Sequence, residues 1–342
     1  MSTFSARDEM YLCPQDAGGH QPQVVTAPVV QVLTPRDVPL GGPRAMTVRR
    51  TIPHRERSFI GAWCFVDHYG PDDTAATGGM NVPPHPHTGL QTVTWLFDGQ
   101  VEHRDSGGVH ATIRPGEVNL MTGGSGIAHS EVSTTATTVL HGVQLWVVLP
   151  FKYRNLPRRF QHYAPPVVGV SPGVQARVFM GVLATGDAPP CSEGVPPSPI
   201  ETATPLLGVE ITMAAGFTWN IPVDPTFEHG VLIDAGDVVL ADTPLARGDL
   251  GIVDCGPSTI SVTAHSDARF LLLGGEPFTE EVVMWWNFIA PDHAGIVAAR
   301  EAWQARSERF GDVLGYTGDK ERLDAPELPK VRLRPRNRLG KR

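Results

Sequence analysis

Between Val29 and Leu149 the chain is cut into short β-rich runs, among them VVQVL, MTVRR, AWCFV, TVTWLF, VNLM and VQLWVVL. Turn-forming residues bound each run. A second series, with VFMGVL, VEITMAA, GVLIDAG, DVVLA, STISVTA and RFLLLGG, spans about Gln175 to Gly275. Runs this short, broken this often, suit strands and leave no room for long helices. The 36 glycines and 32 prolines among 342 residues exclude a helical bundle for the same reason. Two successive series of similar length imply two β-barrels, although no residue-level repeat relates them.

The segments follow from these patterns. Residues 1–25 read as a loose arm, 26–165 as a first barrel and 166–290 as a second, with a connection near 150–170 and a Pro-rich surface loop at 187–205. Residues 291–315 are expected to hold the one convincing helix, N-capped at Pro291-Asp292, with Ile296, Trp303 and Phe310 recurring every seven residues as its buried stripe. Residues 316–342 read as an extended basic tail. Within the first series, Asp98-Gly99 is a favoured two-residue turn, so Thr92–Phe97 and Gln100–Asp105 are expected to form a hairpin.

Charge and cysteine content narrow the function. A net charge of −8 argues against a nucleic-acid binder. Residues 330–342 carry seven basic groups and no acid, leaving the rest at −15, so the tail reads as a solvated arm or a strap over an acidic body. Cys13, Cys64, Cys191 and Cys255 include no CxxC pair, which fits idle or buried thiols in a reducing compartment. No apolar run approaches the ~18 residues of a membrane span, and the polar N-terminus is unlike a secretory signal. The expectation is a soluble, cytoplasmic protein without membrane or direct nucleic-acid partners, a monomer unless shown otherwise.

Two segments carry chemistry. In Pro84-His85-Pro86-His87 the histidines stand two apart, so in a strand both imidazoles face one side. With 13 histidines roughly half of one such pair is expected at random, so the second segment matters. There a Pro-Gly turn, a short strand and a Gly-rich turn lead into His129-Ser130-Glu131, again two residues of one parity. Three imidazoles and a carboxylate suit a first-row divalent metal and suit calcium poorly.

These segments resemble the two motifs of the cupin superfamily and, more narrowly, the pirin family. The resemblance rests on CFVDHYGP (64–71), PHPHTGLQTVTWLFDGQVEHRDS (84–106), IRPGEVNLMTGGSGIAHSE (113–131) and LHGVQLWVVLP (140–150), with EPFTEEVVMWW (276–286) and RFGD (309–312) further on. It implies an all-β chain of two antiparallel, jelly-roll-like cupin barrels packed face to face with a C-terminal helix. It also implies one metal, in the N-terminal barrel only. By resemblance the ligands are His85, His87, His129 and Glu131. The usual metal is iron, with Mn, Ni, Cu, Co or Zn as alternatives. The general cupin pattern has a glutamate where Gln91 stands here, a neutral amide and a poor ligand.

The resemblance implies two activities. One is a metal-dependent dioxygenase of the quercetin 2,3-dioxygenase type, acting on flavonol-like or other enolisable aromatics, with Glu131 as the catalytic proton acceptor. The other is an iron-dependent, redox-responsive regulator that binds a partner protein. Trp95, Phe97, Met121 and Trp146 are candidates for the pocket wall and equally good barrel core. By the parity of the expected hairpin His103 opposes Thr94 and points away from the metal. His68 reads as structural, and His141 as either core or a support for the site.

Overall fold

The computed structural model describes residues 28–39, 46–184 and 194–340. The arm expected at 1–25, Cys13, Cys191 and residues 187–193 of the 187–205 loop lie outside the described residues. Of the other two cysteines, Cys64 is buried and Cys255 exposed, both as free thiols. No helix among the described residues is long and apolar enough to cross a membrane.

The protein is mostly β and consists of two antiparallel β-barrels, each a seven-stranded sheet against a four-stranded one. In the first barrel the long strands Trp63–Asp73, Leu90–Asp98 and Val139–Val148 lie side by side in the larger sheet. The smaller sheet runs, in order, through Asn81–His87, Ile127–Ser133, Val101–Asp105 and His110–Ile113. The second barrel repeats this plan, with Leu206–Met213, Glu228–Ala235 and Ala268–Gly275 central to its larger sheet. Its outer strand is Val30–Leu33, which pairs antiparallel with Leu250–Val253. That strand was expected in the first barrel; the chain therefore begins its described course on the second barrel and then crosses to the first.

The barrels meet through their larger sheets, whose inner residues form one apolar cluster drawn from both halves of the chain. Trp95 stacks on Phe179 at 4.6 Å and donates its indole N–H to Glu210 Oε2 at 2.7 Å. Phe97 packs nearby, under the Arg269 guanidinium and edge-on to His141. The polar seam beside it is satisfied. Asp234 of the second barrel accepts from His68 Nε2 at 2.7 Å, His141 Nε2 at 2.5 Å and Arg269 Nε at 2.6 Å. His68 Nδ1 accepts from Arg49, so the ring is neutral and donates through Nε2. Burial, together with Arg49, holds His68 down at about 4 despite the Asp234 hydrogen bond. Burial pushes the Asp234 carboxyl up, but the hydrogen bonds from His141 and His68 outweigh it and the carboxyl stays ionised. His141 and His68 therefore join the barrels.

The helix is His293–Gln304, shorter than expected, with Asp292 accepting from Gly295 N at 2.8 Å as N-cap. Ile296 and Trp303 are buried as expected. Phe310 lies beyond the helix and reaches the same cluster through a turn, meeting the Trp303 ring edge-on at 5.4 Å. The basic tail is a strap. Arg336 exchanges backbone hydrogen bonds with Val282, Arg338 O accepts from Ser58 N, and the Arg338 guanidinium pairs with buried Glu228.

Candidate metal centre

The smaller sheet of the first barrel builds the site. Asn81–His87 contains three prolines, Pro83, Pro84 and Pro86, and it occupies the sheet edge, where missing N–H groups cost no ladder bond. Its neighbour Ile127–Ser133 pairs His129 with His85, and residues directly opposite in an antiparallel pair share a face. The rings of His85 and His129 lie 4.3 Å apart. Gly89 turns the chain directly after His87 at φ +70°, and a Cβ there would come within 2.3 Å of the Ile289 carbonyl oxygen. Only glycine lets the strand turn so close to this backbone.

Hydrogen bonds determine which nitrogens are free. His85 Nδ1 donates to Pro83 O at 2.9 Å, which leaves Nε2 with its lone pair. His103 Nε2 donates to Asp105 Oδ2 at 3.1 Å, so His103 Nδ1 is an acceptor and takes a long 3.4 Å bond from His129 Nδ1. His129 Nε2 is then bare as well. It lies 3.0 Å from His87 Nε2, and one nitrogen of each of His85, His87 and His129 falls within 4.8 Å of the others. Two nitrogens bound to one ion at ~2.1 Å and at right angles stand about 3.0 Å apart. Burial holds His85 at about 4 and holds His87 and His129 well below the usual imidazole range, so all three are neutral, as ligands must be.

Glu131 is buried beside them, its carboxylate grouped with His103 and His129. The nearest donor is Thr94 Oγ1 at 3.3 Å, whose single proton is contested by Gln144 Oε1 at 3.0 Å. Burial with so little donation raises the Glu131 carboxyl. A buried carboxylate this short of donors, grouped with His129 and close to the bare Nε2 of His85 and the clustered His87 ring, fits a bound cation. The donor set is the N/O kind that suits first-row metals.

The expected hairpin is absent, and with it the orientation of His103. Leu90–Asp98 stays in the larger sheet, while Val101–Asp105 crosses at Gly99 into the smaller one and pairs with Ile127–Ser133. His103 is thus directly opposite Glu131, and Asp105 opposite His129. His103 is buried and faces the site. The signal was present in His103-x-Asp105, two residues of one parity, but it could be used only with the right partner strand.

The four expected residues line a cavity of about 830 Å³ together with Trp146. Trp146 meets the His87 ring edge-on at 5.2 Å and stacks on Phe65 at 4.0 Å. The Arg50 guanidinium covers the other part of this stack, 4.2 Å from the Phe65 ring, and is held by a bidentate pair with Asp67. Of the four candidate wall residues only Trp146 belongs to the cavity. Trp95 and Phe97 are interface residues and Met121 is core. Gln91 is not a wall residue either; its amide N–H donates to Thr122 at 2.9 Å. Phe65, Arg50 and the residues 286–287 and 316–324 were not foreseen as part of the site.

Residues 45–147 match the Pirin family model, and residues 208–311 the model of the pirin C-terminal cupin domain. The chain belongs to the pirin family. This pirin is 38% identical over 301 residues to a Pseudomonas aeruginosa protein provisionally named as a quercetin 2,3-dioxygenase, covering 88% of this chain and 91% of that one. It is 32% identical to a pirin-like protein of Caulobacter vibrioides, over 78% of this chain and 91% of its relative. A crystal structure titled as quercetin 2,3-dioxygenase from Acinetobacter baumannii superposes with a TM-score of 0.81 at 37% identity, over 90% of this pirin and 97% of that chain.

Proposed function

We propose that this pirin is a metal-dependent dioxygenase of the quercetin 2,3-dioxygenase type, acting on flavonol-like or other enolisable aromatics. Its ligands are His85, His87, His129 and Glu131, and iron is the first choice of metal. The observation that carries the reading is the donor-poor Glu131 carboxylate grouped with His129, which in turn clusters with His85 and His87, all four opening on an aromatic-walled cavity. The names of the Pseudomonas and Acinetobacter relatives support the same chemistry.

The metal, when bound, supplies stabilisation of the substrate's oxyanion and a route for electrons to O₂. The remaining work falls to the protein. Trp146, backed by Phe65, gives the cavity a fixed apolar wall against which an aromatic ring can lie. A flavonol must lose the proton of its 3-hydroxyl before its ring reacts with O₂, and the acceptor is a Glu131 oxygen. Burial raises that carboxyl above the ordinary range, which makes its anion a stronger base than a solvated glutamate. The hydrogen-bonded row His129, His103, Asp105 keeps the His129 ring in one orientation.

Glu131→Gln tests this. The change removes the proton acceptor at nearly constant shape, and turnover per bound metal should fall by about 10²-fold or more, well beyond any loss of metal content. Oxygen uptake and carbon monoxide release are the readouts. If iron-, manganese-, nickel- and copper-loaded forms all turn over flavonols no faster than free metal, the dioxygenase reading fails and the partner-binding regulator takes its place.

A further inference from the structure

Residues 316–324 belong to neither barrel and lie beyond both family matches, the second of which ends at residue 311. They nevertheless line the same cavity as His85, His87 and Glu131, through Tyr316, Asp319, Lys320, Leu323 and Asp324. The segment has no regular secondary structure and is pinned at two points along the edge strand that carries His85 and His87. Tyr316 Oη donates to Asn81 Oδ1 at 2.9 Å, and Leu323 N donates to Pro84 O at 2.8 Å, one residue from His85. Behind it the helix braces the chain. Trp303 Nε1 donates to Leu323 O at 2.8 Å, Arg322 lies over the Trp303 ring at 4.3 Å, and Arg306 holds Glu321 in a bidentate pair. Between the two pins, Asp319 and Lys320 rim the cavity; Lys320 is largely exposed and its one ion pair is a loose 3.6 Å contact with Asp324.

We propose that residues 316–324 are the size-selecting wall of the pocket, admitting flat unconjugated phenols and turning away their bulky conjugates. The inference rests on the metal and flavonol reading of the site, and it deepens that reading by assigning selectivity to the tail. The physical case is a contrast in rigidity. One side of the cavity is a stacked aromatic pair locked into the barrel, Phe65 on Trp146, which sets a fixed wall. The other side is a braced but irregular segment whose rim side chains are held only by surface contacts. Trimming those side chains widens the mouth without touching Leu323, which packs into the barrel's apolar cluster.

The experiment compares wild type with Asp319→Ala/Lys320→Ala, which opens the rim and leaves the Tyr316 pin in place, and Asp319→Trp, which narrows it. Quenching of tryptophan fluorescence reports binding of quercetin and of a quercetin glycoside. The opened variant should bind the glycoside about tenfold tighter than wild type and quercetin within about twofold, while Asp319→Trp should weaken the glycoside further. Extraction of the loaded metal is the second readout, with picolinate as small chelator and a sulfonated bathophenanthroline as large one. The ratio of large to small extraction rates should rise about tenfold in the opened variant. Ratios unchanged in all three proteins, or large and small probes shifted by one common factor, overturn the wall. Failure of the flavonol reading shows separately, as no quenching by either compound, and the chelator ratio then decides. Failure of the metal reading shows as no uptake at loading, and the quenching titration then decides.

Discussion

Replacing His87 by Ala separates the cost of assembling the metal site from the benefit of filling it. The ring is buried at 1% exposure, its Nδ1 finds no hydrogen bond of normal geometry, and it borders the 830 Å³ cavity. Truncation of a large buried ring costs ~3–5 kcal/mol where it leaves a closed void. Here the void merges with an existing cavity, and removing a buried unsatisfied nitrogen returns ~1–3 kcal/mol. In the presence of chelator the variant should therefore stand within about 1–2 kcal/mol of wild type. With free metal at a thousand times the dissociation constant, wild type gains about 4 kcal/mol. Loss of one imidazole weakens binding at least as much as loss of an outer partner, about 100-fold at its upper end. At the same metal concentration the variant's gain then shrinks to about 1.4 kcal/mol. Urea unfolding of chelated and metal-loaded proteins, four curves in all, measures both differences. Equal metal-dependent gains in the two proteins would refute the ligand role of His87. A chelated variant more than ~3 kcal/mol below wild type would instead show that the ring is ordinary core.

The barrel seam offers two further tests. Asp234→Asn turns an amide N–H₂ toward donors that now converge on a carboxylate, leaving His68, His141 or Arg269 unpaired, and should cost about 3–5 kcal/mol by chemical denaturation; a loss below 1 kcal/mol would mean that water already satisfies these groups. His68 has its folded pKa depressed to about 4, below the ~6.5 of an unfolded histidine, so its contribution is fully present above pH ~6.5 and is lost as pH falls toward the folded value. The stability advantage of wild type over His68→Gln should shrink by about 2 kcal/mol between pH 7 and pH 5, and an advantage constant across that range would contradict the buried, neutral ring.

Local pattern alone determined the strands, the Asp292 cap and the shared faces of His85 with His87 and of His129 with Glu131. Each depends on a short-range rule: side chains alternate along a strand with period two, and a cap needs its side chain within one turn of the helix start. The motif lengths around those residues extended this to the fold family. What parity cannot supply is the partner strand. His103 was placed on the wrong side because a two-residue turn at Asp98-Gly99 implied pairing with Leu90–Asp98, whereas closing the barrel sends Val101–Asp105 to Ile127–Ser133. Trp95 and Phe97 sit on one strand whose outer face looks exposed or pocket-lining until a second barrel covers it. Val30–Leu33 joins a strand more than two hundred residues away, and residues 316–324 reach the cavity only because the helix carries them back across the edge strand. Such contacts are set by how two closed sheets and a tail share buried surface, and a pairing decided at that distance leaves no period in the sequence to read.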